Sequence, residues 1–579
     1  MTETVRHPSD PPVKGPRHRQ RSSRGPSGRR ASGNRPRSAP TGTFDETGLQ
    51  SLADDVKAAN GSKRRHSGRH RKAKWILGSL ATVIVLIVAG TAGYAWYLNH
   101  EIHRVDVHGL IDVPTSGADA GAENILMIGS TDRCALKVQN AAYGLCSQGV
   151  NGVNSDVVMI LHLDPAKHSV SILSIPRDLF VPNARTTGAN KIDAGLYQGP
   201  SQLVAAISEN LGIPIQHDVV LNFDTFANVV NALGGVKMYF PEPVYDAYSG
   251  LKQLTPGCVS LDGLHALQVV RARHLQYKGP GVTTSLPQYW TSENLSDLAR
   301  IRRDHEFLRV LAAAVAKQGL GDPITDQQLV SGVAPLLQVD RQFSSSDMVN
   351  LVLNFHSVNV NSAPQFTLPV QVDQFGSYIY RGGNYGNIEF PSITDDHRVI
   401  DQFLGINSST DTMTGQKLPS PATVSVSVLN GTGTFNQATA TGNALQALGF
   451  HLTGVGDTPS VGTESETVVY YATKSHAAHA AAQAVADSMS GAVITALGPT
   501  TNGAEVTVVT GSQFAVNAPT AAAGTASPPT PGATATPATA SAPPTTSASN
   551  GAFQPPTAAV SPLQPWDPRS CTPQGGAGP

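Results

Sequence analysis

From Glu123 to about Ala316 the chain alternates short apolar runs with amphipathic stretches, the periodicity of a layered α/β domain. Asn124–Ile128 is an apolar run stopped by Gly129 and Ser130, so it predicts a buried strand delivering Thr131 and Asp132 to its end. Val157–Leu163 and Ser169–Ile175 flank the turn sequence Asp164-Pro165-Ala166-Lys167 and predict a hairpin. Antiparallel pairing about that turn would make Asp156 and Arg177 neighbours at one edge of the sheet. Gln202–Leu211, Phe223–Leu233 and Leu295–Lys317 carry helical spacing, the second stopped by Gly234-Gly235. Val236–Phe240 predicts a strand, and Leu267–His274 another, leaving a helix begun near Asp262; in a strand Arg271 and Arg273 would share a face. From Thr423 to Gly511 a second, smaller pattern runs strand Val424–Leu429, helix Phe435–Leu448, strands Phe450–Val455 and Thr467–Tyr471, helix Ser475–Met489 and strands near Val493 and Val506–Val509. It predicts a small α/β domain of one sheet and two helices.

Charge changes the picture only when divided by position. Residues 1–74 hold 18 Lys and Arg against 6 Asp and Glu, a surplus of 12, so with a whole-chain charge of -1 the remainder stands at -13. This segment is rich in Arg, Ser, Pro and Gly and predicts a disordered basic tail. Trp75–Leu98 then runs 24 residues without a charge, enough to cross a hydrocarbon core of roughly 30 Å. Lys63–Lys74 is densely basic and aromatic residues stand at both ends of the run, which predicts a single-pass anchor with a cytoplasmic amino terminus and everything after residue 98 outside the cell membrane. Residues 99–122 then form a connector, 123–400 the core domain with its motifs in 123–317, 401–422 a linker, 423–512 the smaller domain, and 513–579 a disordered tail of Ala, Pro, Thr and Ser. Such a basic tail binds any polyanion in a salt-dependent way, so no specific nucleic-acid partner is expected.

All four cysteines fall on the exported side, where disulfides persist, and Cys134 with Cys146 is the preferred pair. No Cys-x-x-Cys occurs, and no histidine pair stands with a cysteine pair as in a structural zinc site. The chemistry is carried by Asp132-Arg133, Asp156, Arg177-Asp178, Arg271, Arg273, Arg300 and Arg303. Guanidinium forks match phosphate oxygens, and paired carboxylates with a divalent cation neutralise the remaining phosphate charge, so the set suits a diphosphate. Arg300 and Arg303, three apart on a helix, could reach one ligand; Arg302 is expected at the surface, Asp178 to orient Arg177, and His274 and His305 to be structural.

Over roughly Glu123–Lys317 the chain resembles the LytR-CpsA-Psr family of cell-wall glycopolymer ligases. The resemblance is carried, in order, by NILMIGSTDR (Asn124–Arg133), Ser155-Asp156-Val157, SIPRD (Ser174–Asp178), Lys191-Ile192-Asp193, GIPIQH (Gly212–His217), ALGGV (Ala232–Val236), LDGLHAL (Leu261–Leu267), Val270–His274 and Asp297–Arg303. VSVLNGTG (Val426–Gly433) and VVYY (Val468–Tyr471) are similar to the LytR C-terminal domain that accompanies this family in actinobacteria. The resemblance implies an α-β-α core with a central mixed sheet, a polyprenyl carrier held in an apolar cavity, a magnesium ion (manganese as substitute), and transfer of a phosphoglycan to peptidoglycan. It places Arg177, Lys191, Arg271, Arg273, Arg300 and Arg303 around the lipid diphosphate, Asp132 and Asp156 on the metal, and Arg177, Asp156 and Asp132 in catalysis. The chain departs from the family pattern at Thr131, where the first aspartate is usual, at Asp193 for Asn, and at Asp304-His305 for Gln-Gln. Arabinogalactan is the cargo suggested by the actinobacterial composition. A hydrolase using water as acceptor and a noncatalytic wall-binding or regulatory membrane protein stand as alternatives.

Overall fold

The computed structural model describes residues 102–517 apart from 117–119, 135, 137–144, 150, 294–295, 319–336, 356–362, 373–375, 392 and 460–463, together with 562–572 and 576–577. The basic segment 1–74 and the apolar run 75–98 lie outside them. No helix among the described residues is long and apolar enough to cross a membrane.

The core domain is built, in chain order, from β1 (His103–Val105), β2 (Glu123–Ser130), β3 (Ser155–Asp164), β4 (Ser169–Ser174), α1 (Pro200–Leu211), β5 (His217–Leu221), α2 (Phe223–Ala232), β6 (Val236–Phe240), β7 (Val244–Asp246), β8 (Gly257–Leu261), α3 (Gly263–Val270), α4 (Ser296–Gln318), β9 (Gln338–Asp340), β10 (Gln365–Thr367) and α5 (Ile393–Leu404). Among the described residues seven strands join in the order β1-β9-β5-β2-β3-β4-β10. Pairing is parallel for β1/β9, β2/β5 and β4/β10 and antiparallel elsewhere, so the sheet is mixed. The stretch expected as a connector thus supplies an edge strand, β1. The β3–β4 hairpin closes where Asp164 pairs Ser169; Asp164 accepts from the Lys167 backbone N–H at 3.0 Å, and His168 takes the left-handed conformation that the tight turn needs.

Strand alternation sends Leu126 and Ile128 of β2 to one face, where they pack with Leu203, Val204 and Ile207 of α1 and Val399, Ile400 and Phe403 of α5. Met127 and Met159 face the other way, toward α2, α3 and α4. The result is helix, sheet and helix in three layers. α2 begins on Asn222, whose side chain accepts from Thr225 N at 2.9 Å, and α3 on Asp262, which accepts from His265 N at 2.9 Å.

That second cap accounts for a correction. Leu267–His274 is not a strand: α3 continues to Val270 and the chain then turns at Arg271. Ala266, Leu267, Val269 and Val270 are all buried, and apolar residues in adjacent pairs mask the period that separates helix from strand.

The smaller domain comprises β11 (Ser425–Asn430), α6 (Gln437–Ala447), β12 (His451–Asp457), β13 (Thr467–Tyr471), α7 (His476–Ala486), β14 (Val493–Leu497) and β15 (Val506–Thr510). Its sheet runs β12-β11-β15-β13-β14. Val468, Ile494 and Ala496 join the apolar cluster of the core domain, while Thr495 Oγ1 donates to the carbonyls of Glu209 (3.2 Å) and Asn210 (3.1 Å) at the end of α1. The intervening 401–422 stretch is packed as well, with Gln483 Nε2 donating to Thr410 O at 3.1 Å.

A structureless tail from 513 onward is contradicted at Pro562–Thr572. There β16 (Arg569–Ser570) pairs antiparallel with β6, Trp566 stacks on Tyr277 at 4.0 Å between ring centres, and Cys571 is bonded to Cys258 with a Cα separation of 5.9 Å. Asp567, without exposed surface, receives Arg302 Nε at 2.6 Å. Arg302 is therefore buried, not at the surface.

Candidate functional site

β2 and β3 fall out of step at their shared end: Gly129 faces Val157 and Ser130 faces Ser155, leaving Asp156 as the extra residue of a β-bulge. Bulges re-aim side chains at sheet ends, and here Asp156 is turned into a cavity between the sheet and the α2, α3 and α4 layer. Gly129 is needed at that point, because a Cβ there would lie 2.9 Å from Val157 Cβ. The cavity holds about 740 Å³ between its side chains, part of it open to solvent. Its walls are apolar, with Met127, Met159, Phe226, Val270, Phe307 and Leu308; Asp156, Arg271 and Asp304 are its charged lining residues.

Beside the cavity a continuous ion network joins residues from distant parts of the chain. Arg177 is bonded to Asp156, and its Nε lies 3.8 Å from both Asp178 and Asp193. Asp178 in turn holds Lys191 Nζ at 2.8 Å and Arg273 at 2.5 Å. Arg273 Nε lies 3.1 Å from Asp297, which faces Arg300 at 3.0 Å; Arg300 Nε is 3.6 Å from Asp304. Arg271 stands over the Phe223 ring at 4.5 Å and Arg133 over the same ring at 5.5 Å. Arg177, Lys191, Arg273, Arg300 and Asp156 are thus brought together, with Arg271 at the cavity wall.

One expected member is engaged elsewhere. The Arg303 side chain has no exposed surface and is spent on Glu293, on Asp567 at 3.4 Å and on the Ala272 carbonyl at 2.6 Å, so it is not a diphosphate ligand. Arg300 and Arg303 lie a helical turn apart, and that separation sends one into the network and the other toward the chain's end. Asp132 occupies the turn beyond β2, outside the cavity lining, where one carboxylate oxygen accepts from Cys134 N at 3.0 Å. Cys134 and Cys146 are joined, Cα atoms 5.2 Å apart, which ties down the loop bearing Arg133. Thr131, at the family's aspartate position, is buried, its hydroxyl bonded to the carbonyls of Gly152 (3.3 Å) and Asn154 (3.1 Å).

Sequence reasoning missed the acids between the cations. Asp297 entered only within a motif, and Glu389 not at all; its backbone N–H donates to Asp178 O at 3.0 Å, and no local pattern announces that contact. Six carboxyl groups (Asp156, Asp178, Asp193, Asp297, Asp304, Glu389) face Arg177, Lys191, Arg273 and Arg300. Burial pushes Asp193 up to about 7 against the pull of Arg177, and Asp304 up to about 8 against Arg300 and Arg303. Burial, with Asp297 and Asp178 adding to it, takes Glu389 to about 8. Burial opposes the charge of Arg177, but Asp156, Asp193, Asp178 and Asp297 outweigh it and hold its pKa above the ordinary value. Asp178, with Arg273 and Arg177 overcoming its burial, is held below the carboxylate range. Below pH 7, with Asp193, Asp304 and Glu389 protonated, four cations face three carboxylates, a balance that suits an anion.

A pH dependence follows. Raising pH through 7 to 8 ionises Asp193, Asp304 and Glu389 and adds negative charge beside the guanidinium groups. An anion that binds must draw protons onto these groups, so its affinity falls as pH rises. Farnesyl diphosphate titrated by calorimetry in EDTA is expected to bind about tenfold more tightly at pH 6 than at pH 9, a difference of ~1.4 kcal/mol. Asp304→Asn with Glu389→Gln should flatten the profile; an unchanged profile would refute the assignment.

Comparison with known proteins finds two matching families along the chain. The LytR_cpsA_psr family matches residues 99–390, and the family described as LytR cell envelope-related transcriptional attenuator matches residues 423–514. A relative from Corynebacterium glutamicum, the probable cell wall biosynthesis protein LcpB, is 30% identical over 44% of this chain and 56% of its own. The polyisoprenyl-teichoic acid–peptidoglycan teichoic acid transferase TagU of Bacillus subtilis is 27% identical over 36% of this chain and 66% of its own. A solved structure, the LytR-Csp2A-Psr enzyme from Actinomyces oris, is 25% identical, covering 47% of this chain and 88% of that one with a TM-score of 0.38. The matched stretch thus spans a little over half of the first relative and about two thirds of the second.

Proposed function

The chain belongs to the LytR-CpsA-Psr family, and from that premise we propose that it is a membrane-anchored phosphotransferase, moving a glycopolymer from a polyprenyl diphosphate carrier onto peptidoglycan outside the cell membrane. One observation carries the reading: an apolar cavity opens beside a cluster of arginines, which matches the two ends of a lipid diphosphate. The polyprenyl chain enters between Met127, Phe226 and Phe307, and Arg271, Arg273 and Arg177 hold the diphosphate, with Lys191 and Arg300 behind them. A hydroxyl oxygen of the acceptor sugar forms a bond to the phosphorus that bears the glycan, the bond from that phosphorus to the bridging oxygen breaks, and polyprenyl phosphate leaves with the bond's electron pair. The hydroxyl proton passes to a carboxylate of the site or to the departing phosphate. Charge spreads over phosphoryl oxygens as this happens, and rigidly held guanidinium groups stabilise that state more than the ground state.

A magnesium or manganese ion fits the residues present. Asp156 and Asp304 line the same cavity, and both carboxylate oxygens of Asp304 are buried without a hydrogen-bond donor. No group of three or more His, Cys, Asp and Glu among the described residues is arranged to hold a metal alone, which accords with an ion held by one or two carboxylates plus substrate phosphates. Bound there, the ion would screen phosphate charge. Arabinogalactan as cargo rests on the resemblance to actinobacterial sequences, and TagU carries a different polymer in its name.

The test uses the full chain in detergent with a labelled lipid-linked glycan and peptidoglycan. Label on the wall polymer, dependent on magnesium, is expected; release of free glycan phosphate to water would make the protein a hydrolase, and no turnover with either acceptor would remove the reading. Lipid fit has its own check. Phe226→Ala widens the cavity wall, and photo-crosslinking of a polyprenyl diphosphate probe to α2 should fall severalfold while diphosphate alone still binds.

A further inference from the structure

Past Arg273 the chain reaches the surface at His274, and a second loop comes to meet it. Asp246, at the end of β7 and fully buried, accepts backbone N–H groups from Tyr248 (2.8 Å), Ser249 (3.1 Å) and His274 (2.8 Å). One carboxylate therefore fixes the Tyr248 turn against the Arg273–His274 turn. The rings of Tyr248 and His274 lie 4.5 Å apart, tilted by 43°, and Tyr248 is 78% exposed. Tyr289, 67% exposed, stands on the short 3-10 turn Pro287–Tyr289 in the same sheet region, where Gln276 of the strand paired with β7 donates to Gln288 O at 3.2 Å. The two exposed rings stand together on turns that share one buried carboxylate. They present flat apolar faces edged by hydroxyl and ring nitrogen, the surface on which the C–H face of a pyranose packs.

We propose that the Tyr248–His274 pair is an acceptor subsite that receives a sugar ring of the glycan strand. The inference rests on the phosphotransfer reading and says which side the acceptor comes from. Attacking and leaving oxygens stand roughly in line across the phosphorus. Polyprenyl phosphate leaves toward the cavity walled by Val270 and Arg271, so the incoming hydroxyl approaches from the opposite side. His274 follows Arg273 directly in the chain, so the ring pair stands one residue beyond the guanidinium that holds Asp178 in the ion network. Asp246 is a positioning residue that acts through the two turns it joins.

The experiment is steady-state kinetics of the full chain in detergent with a short-chain lipid-linked glycan donor and soluble glycan strands cut free of their stem peptides. Tyr248→Ala, at an exposed position, is expected to raise KM for the strands roughly tenfold while leaving kcat and the donor KM within about twofold. Tyr248→Trp should restore the wild-type KM. A rise in the donor KM instead would assign the rings to the donor's own sugar and overturn the acceptor placement, as would an unchanged KM for the strands. Direct binding of the same strands to the chain without donor keeps the two readings apart. Strand binding lost on Tyr248→Ala upholds the subsite even where no transfer is seen; absent strand binding by the wild-type chain overturns it. Failure of farnesyl diphosphate to bind would strike the diphosphate assignment alone.

Discussion

Replacing Arg177 with alanine is expected to reduce polymer transfer by about 10²- to 10³-fold, the loss typical of removing one preorganised donor from developing oxyanion charge. Arg177 is bonded to the bulge aspartate Asp156, and its Nε lies 3.8 Å from both Asp178 and Asp193. The substitution also leaves Asp156 without its guanidinium partner, so repulsion of the substrate adds to the lost attraction. Arg177→Lys keeps the charge but not the fork, and should recover only part of the rate. Single-turnover transfer from a labelled donor measures both. A loss confined to KM, or one below about fivefold, would show that Arg177 is structural and that the phosphoryl group is held elsewhere.

Asp567→Ala is expected to destabilise the fold by about 3 to 5 kcal/mol, the cost of breaking a buried ion pair by removing one partner. The Arg303 side chain has no exposed surface and that of Arg302 is 8% exposed, so two guanidinium groups would share Glu293 as their remaining ion-pair partner. Denaturant unfolding compares the variants, and a shift below about 1 kcal/mol would mean that the tail lies on the core without holding it. Cys571→Ser should be milder for the ion pairs but remove the covalent closure, so the two substitutions made together test whether closure and charge act independently.

The sheet's centre was legible in the sequence because the relevant signals are local. An Asp-Pro-Ala-Lys turn between two β-rich runs specifies the hairpin, and pairing about it leads to the juxtaposition of Asp156 and Arg177. The bulge at Asp156 escaped detection, since alternation along one strand says nothing of register against its neighbour. Periodicity failed at Leu267–Val270, where three buried apolar residues in four positions mask the difference between the two periods. Arg303 was misplaced for a different reason: its acceptor, Asp567, is 264 residues away in a segment whose Ala, Pro, Thr and Ser surroundings resemble disordered chain. A signal was nevertheless present. Pairing Cys134 with Cys146 leaves Cys258 and Cys571 for each other, and a bond between them is enough to bring the end of the chain to β8. Glu389 had no such signal, being placed only by backbone pairing beside Asp178.

The anchored carboxyl end has a consequence for biosynthesis. A ribosome releases Cys258 long before Cys571, which follows 313 positions later, and at about 5 to 20 residues per second that interval lasts roughly 15 to 60 s. Throughout it Arg302 and Arg303 lack Asp567, and β6 lacks the partner that β16 provides. The nascent polypeptide therefore carries an unpaired strand edge and two uncompensated guanidinium groups until translation is nearly over, and premature termination before codon 567 yields a product that lacks both partners.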